Sequence, residues 1–199
     1  MGRFTDWLLR QQPISGRMIN EDGGIINEAD LNELRALTDP LLATFRGQAY
    51  FYQHRFDLAA QPGSYSIAFT TSPTKHTAVY SRQLTSGQGP VELVNIIGAT
   101  FTDGTAGSPV NLFAGKSAAQ MTASNGVTGI TGGVTIPNDY AYSTGNNTAV
   151  GTAGPAGLPT ILPPSTTIIL QVINRHNGTN SARLAIAFAE LVIPARFLV

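Results

Sequence analysis

The sequence predicts a mainly β protein: an antiparallel β-sandwich, jelly-roll-like in form, behind a short helical N-terminal arm. Three observations lead there. After Gly47, apolar residues recur at every second position; the runs that carry this period are short and are separated by Gly, Pro, Ser and Asn clusters; and no helical period alternates with them, which places an antiparallel sandwich ahead of an α/β sheet. Charge marks the boundary of the arm. Eight of the 12 acidic residues (Asp6, Glu21, Asp22, Glu28, Asp30, Glu33, Asp39 and Asp57) lie in the first 57 positions, whereas Asp103, Lys116 and Asp139 are the only charged residues between Leu93 and Asn174. The chain therefore divides into an arm over 1–47 and a β-sandwich domain over 48–199, the latter with a loop-rich insertion around 116–160.

In the arm, Thr5 can cap a short helix carrying Trp7 and Leu8, which Pro13 and Gly16 end. Asn27 can cap a second helix, with Asp30 reaching back from three positions on and Leu31, Leu34 and Leu37 at helical spacing. Asp39-Pro40 interrupts the pattern and restarts it, since Pro fits a first helical turn, and Leu41, Leu42 and Phe45 follow before Gly47 closes the segment.

The period then becomes two. Tyr50, Tyr52, His54 and Phe56 alternate with Phe51, Gln53, Arg55 and Asp57, and beyond the Gln61-Pro62-Gly63 turn Tyr65, Ile67 and Phe69 alternate with Ser64, Ser66, Ala68 and Thr70, so the pair is expected to form an antiparallel hairpin. Further strands are predicted over 77–84, 91–101 and 109–114. Between Lys116 and Pro159 only Val127 to Ile136 has strand character, and the rest is expected as exposed loops. Thr166–Ile173 and Ala182–Leu191 are expected to close the fold as a central hairpin, with Ile168, Leu170 and Val172 against Leu184, Ile186 and Phe188.

Composition narrows the function. Lys plus Arg and Asp plus Glu number 12 each, so no net charge draws the chain to nucleic acid or to an anionic membrane. The longest apolar runs fall short of the roughly 18 to 20 residues that span a bilayer, and the first residues do not have the pattern of a signal peptide. Cysteine is absent, which removes disulfides, thiolate nucleophiles and Cys-ligated metal. Charged residues make up only 12%, about half the share of an ordinary soluble domain, and that points to a surface covered by something else.

No catalytic, cofactor or metal residues are assigned. His54, His76 and His176 fall in separate elements without a second ligand at helical spacing, and His54 is expected as a packed or surface residue. Gly115-Lys116-Ser117 resembles the end of a phosphate-binding loop, but position 110 is Val where the motif requires Gly. Glu92, Asp103, Asp139 and Glu190 are isolated in sequence, and a glycan-active site would need Glu92 and Asp139 to converge in space. No serine sits in a G-x-S-x-G elbow. The Tyr50-Phe51-Tyr52 run is expected as core packing, and Asn146-x-Thr148 and Asn177-x-Thr179 as loop composition. Trp7, Leu8 and Leu9 form a small amphipathic patch suited equally to docking on a partner and to folding back onto the sandwich.

The segment from Ile161-Leu162-Pro163-Pro164 through the alternating strand to Asn174-Arg175, followed by a turn and the strand Arg183 to Leu191, resembles the closing hairpin of small bacteriophage virion proteins; the aromatic strand and hairpin over 48–71 are similar too. The resemblance implies a jelly-roll sandwich that decorates or cements a tailed-phage capsid at its surface. Its partners would be the major capsid protein or other virion proteins, and it would form a homo-oligomer, a trimer in the first instance, without nucleic acid or membrane. Contacts would come from Phe4, Trp7, Leu8 and Leu9 as anchors in the arm, with the Leu31, Leu34, Leu37 stripe packing onto a neighbour or onto the chain's own sandwich. The alternative is a tail- or fibre-associated receptor-binding module whose loops over 122–157 contact host glycan.

Overall fold

The computed structural model describes residues 17–19, 25–27, 39–141, 149–152 and 160–193. Within the arm, β1 (Arg17–Ile19) and β2 (Ile25–Asn27) pair antiparallel, Arg17 opposite Asn27, where no strands were expected. Asn27 ends β2. The Leu31, Leu34, Leu37 stripe and the helix anticipated around Trp7 lie outside the described residues.

The restart at Asp39-Pro40 is present as helix α1 (Pro40–Phe45). Pro40 opens it, where a missing N–H costs nothing, and the Asp39 carboxylate accepts from the N–H groups of Leu41 and Leu42. Gly47, at φ +70°, turns the chain out of the helix into the first long strand, with the Lys116 side chain packed where any Cβ would stand.

Eight strands then build two sheets. One has the order β12-β6-β15-β4, made of β4 (Ser64–Thr70), β6 (Val91–Ile97), β12 (Val134–Ala141) and β15 (Thr167–Asn174). The other has the order β13-β5-β16-β3, made of β3 (Ala49–Leu58), β5 (His76–Ser86), β13 (Ala149–Thr152) and β16 (Asn180–Leu191); β14 (Thr160–Leu162) adds a second piece beside β5. All pairings are antiparallel. The chain passes from one sheet to the other at nearly every connection, which is the double Greek-key path of a jelly roll. The mainly β, antiparallel sandwich expected from the two-residue period is therefore the architecture.

That same path corrects both expected hairpins. β3 pairs with β16, and β4 with β15, so the alternating runs flanking Gln61-Pro62-Gly63 belong to opposite sheets. Likewise β15 and β16 do not pair with each other; they are inner strands of the two sheets and face one another across the core. Ile168, Leu170 and Val172 do meet Leu184, Ile186 and Phe188, but as two layers of one hydrophobic cluster and not as cross-strand neighbours. Ile67, Phe69, Leu170, Val172, Leu184 and Phe188 are sealed from solvent there, each such side chain contributing about 1.5–3 kcal/mol. Tyr50 and Tyr52 are buried in the same layer, as the aromatic strand was expected to be.

The interruption of the jelly roll overlaps the expected one only over 116–133. Residues 116–160 contain β12 and β13, two of the eight framework strands, whereas the inserted segment runs from Gly98 to Gly133. Gly98, at φ +77°, breaks the strand expected over 91–101 into β6 and β7 (Thr100–Thr102). The insertion continues through β8 (Thr105–Gly107), β9 (Val110–Asn111), β10 (Thr122–Asn125) and β11 (Thr128–Thr131). It covers the molecule in two ways. β10 and β9 pair with β4 and β3, the open edges of the two sheets, and so occupy hydrogen-bonding groups that would otherwise template association. The β7–β11 ribbon lies over the outer face of the first sheet, where Phe101, Val127 and Ile130 pack on Ala68, Ile96 and Ile169.

Candidate functional site

The anchors Phe4, Trp7, Leu8 and Leu9 and the stripe Leu31, Leu34 and Leu37 all lie outside the described residues. What is described is where the arm joins the sandwich. Helix α1 lays Ala43 on the outer face of the second sheet, against Ala49, Ala78, Ala189 and Leu191. Its opposite side presents Leu41 and Phe45, 63% and 62% exposed and one helical turn apart. The β9 segment adjoins it: Asn111 donates through Nδ2 to the Gly47 carbonyl at 2.9 Å, and the Leu112 N–H donates to the Ala49 carbonyl at 2.9 Å. Val110, Leu112 and Phe113 are exposed beside this tie, with the Lys116 ammonium 5.6 Å from the Phe113 ring centre. Five large apolar side chains thus stand in solvent at the end of the sandwich from which the arm departs.

Glu92, Glu190 and His54 are engaged inside the fold. Glu92, on β6, forms an ion pair with Arg175, whose Nε donates at 2.7 Å. Glu190, on β16 and 1% exposed, accepts from Lys75 at 3.3 Å and from the backbone N–H groups of Gln120 and Met121. Glu92 and Asp139 do not form a register pair: Asp139 stands opposite Leu93 and Glu92 opposite Tyr140. His54 is stacked on Phe56 and Tyr65, with Nε2 3.1 Å from the Tyr65 hydroxyl, and burial lowers its pKa. Burial likewise raises the pKa of Tyr65 and of Tyr52, although a hydrogen bond from the Tyr52 hydroxyl to Asn125 opposes the latter shift. Tyr80, under α1, is pushed up to about 12 by burial and by the nearby Asp39 charge. His76 begins β5, and His176 lies in the turn after β15, where its Nδ1 accepts from the Gly178 N–H. Among the described residues, no three His, Asp or Glu side chains gather as metal ligands.

One concavity stands out that the sequence did not single out as a site. It is an open groove of about 520 Å³ on the outer face of the first sheet, lined by Ser64, Tyr65, Ser66 and Gln171 from β4 and β15 and by the 126–130 segment leading into β11. The alternation had placed Ser64 and Ser66 on the face away from the core, but only the sheet order puts Gln171 opposite Ser66. Only the insertion supplies the facing wall.

No protein-family model matches the chain, and no curated protein matches it. Among solved structures, it is similar to an infectious bursal disease virus Gt strain structure at 12% identity and to a mutant VP2 protein of that virus in derived T=1 particles at 16%. Each likeness covers 75% of this chain and 41% of the other, at a TM-score of 0.18, a superposition too poor to argue from.

Proposed function

We propose that this chain is a non-enzymatic virion structural protein that decorates or cements a bacteriophage capsid through protein–protein contacts. The observation carrying this reading is the cluster of exposed apolar residues, Leu41, Phe45, Val110, Leu112 and Phe113, at the arm end of the jelly roll. Isolated apolar side chains are common on protein surfaces, but several together at the base of an arm form a surface that gains by being covered. A weakly charged body fits the same role, since a cement protein works by burying area across subunit junctions many times over, with avidity multiplying modest contacts. Carboxylates held in internal ion pairs, Glu92 by Arg175 and Glu190 by Lys75, fit a body whose work is contact.

Sedimentation with capsids of the encoding phage tests the reading. The full chain is expected to pellet with capsids, and a chain lacking residues 1–20 to remain largely in the supernatant. Undiminished pelleting of the shortened chain removes the arm from the mechanism, and failure of the full chain to pellet removes the cementing role. In that second case, adhesion of the full chain to host cells would favour the receptor-binding alternative.

A further inference from the structure

The outer face of the β12-β6-β15-β4 sheet changes character along its strands. Under the β7–β11 ribbon it is apolar, with Ala68, Ile96 and Ile169 covered by Phe101, Val127 and Ile130. Two residues further towards the start of β4, the outward positions become Ser66 and its cross-strand partner Gln171, and then Ser64. The groove opens along that line, with these three side chains as its floor and residues 126–130 as its wall. Its parts are fixed: the Val127 N–H donates to the Ser66 carbonyl at 3.1 Å, and Gly126 and Gly129 take φ of +66° and +57°, which bring bare backbone to the rim.

The floor carries unused hydrogen-bonding capacity. Ser66 is 5% exposed as a residue, but its hydroxyl is not among the sealed polar atoms that lack a partner, and among the described residues it makes no hydrogen bond, nor do the side chains of Ser64 and Gln171. The Thr128 hydroxyl has only long contacts, 3.5 Å to the Thr102 carbonyl and 3.4 Å to Asp103, and can turn to a ligand. No lining residue is a Lys, Arg, His, Asp or Glu.

We propose that this groove binds a neutral saccharide. A phosphate, sulfate or carboxylate ligand would call for a cation, and an ammonium ligand for a carboxylate, neither of which lines the groove. Hydroxyls and a primary amide each both donate and accept, which matches a polyol whose own hydroxyls do the same. Ile130, half-buried at the rim, gives the apolar face of a sugar ring something to lie against, and the volume is within the roughly 300–1,000 Å³ range of small-molecule sites. The aromatic lining residue, Tyr65, is stacked inward on Phe56 and His54 and offers no platform, so the groove binds weakly at each copy and useful affinity comes from many copies side by side. This assignment is independent of the cementing role, and the two stand or fall separately.

Saturation-transfer NMR on the full chain with maltotriose, lactose and N-acetylchitotriose tests it, with sialyllactose and a sulfated heparin disaccharide as charged counterparts. Transfer to ring protons of at least one neutral saccharide is expected. In Gln171→Ala with Thr128→Val the affinity should fall by roughly tenfold, the effect of losing two modest hydrogen bonds. A Gln53→Ala variant, altered on the exposed outer face of the second sheet, reports whether transfer needs the groove and should bind as the parent does. No transfer from any neutral saccharide, transfer that survives the double substitution in a chain with unchanged amide dispersion, or preference for the charged pair would each overturn the assignment.

Discussion

His54 stacks against Phe56 and Tyr65 beneath the edge of the second sheet, and burial holds its pKa below the ordinary 6.5. The folded state therefore binds fewer protons than the unfolded chain between that lowered pKa and 6.5. The contribution of this group to stability is complete above 6.5 and is lost as pH falls through the lowered value. Thermal unfolding of the parent and of His54→Gln, compared from about pH 7 down to about pH 5.5, should show the shallower decline in the variant. Glu190 is the other side chain whose neighbourhood determines its part. Truncation by Glu190→Ala strands two backbone N–H groups and the Lys75 ammonium, at an expected cost of about 2–4 kcal/mol in denaturant unfolding, whereas Glu190→Gln keeps an acceptor for the N–H groups and should cost less than half as much. Tyr50, Tyr52 and His54 were legible as one strand face from alternation alone. The ties of Glu190 and Glu92 were not, because Lys75 and Gln120 are 115 and 70 residues away from Glu190, and Arg175 is 83 from Glu92, and no periodicity relates residues so far apart.

At the scale of elements, a two-residue period identifies a strand and its buried face but not its neighbour. β3 and β4, and β15 and β16, are each separated by a short turn of the sort that closes hairpins, and in each case the chain crosses to the opposite sheet. Both arrangements bury the same side chains, so the hydrophobic pattern could not separate them; what decides is that β3 and β16 offer each other a longer ladder, from Ala49 opposite Ala189 to Leu58 opposite Asn180. The inserted segment was misplaced for a related reason. Its strands are two to four residues long and mostly Thr, Ala, Gly, Ser and Asn, with one apolar residue each at Phe101, Val110 and Ile130, a composition shared with the loops around them. Gly107 shows that this covering is nevertheless closely fitted, since a Cβ there would stand 2.5 Å from the Tyr52 hydroxyl. Gly107→Ala should destabilise by about 1–3 kcal/mol, and a double-mutant cycle with Tyr52→Phe, which removes the nearest clashing atom, should show that the two costs do not add.

For the molecule as a whole, the framework strand that opens the sandwich and the one that closes it lie side by side. Ala49 at the start of β3 and Ala189 near the end of β16 are register partners, and α1 and Ile193 pack into the same small cluster on the outer face. Ser64 and the polar groove lie towards the other end, near Leu58 and Asn180, away from the exposed apolar cluster. The side-by-side placement of β3 and β16 also has a mechanical side. Tension drawn between the two flanks of the sandwich peels these strands apart one hydrogen bond after another, the weak direction of an antiparallel ladder. Tension between the flanks as a pair and the far end loads the long ladders of both sheets along their length, where many bonds must yield together. The sandwich is thus toughest against forces that hold both flanks together and tug its far end outwards.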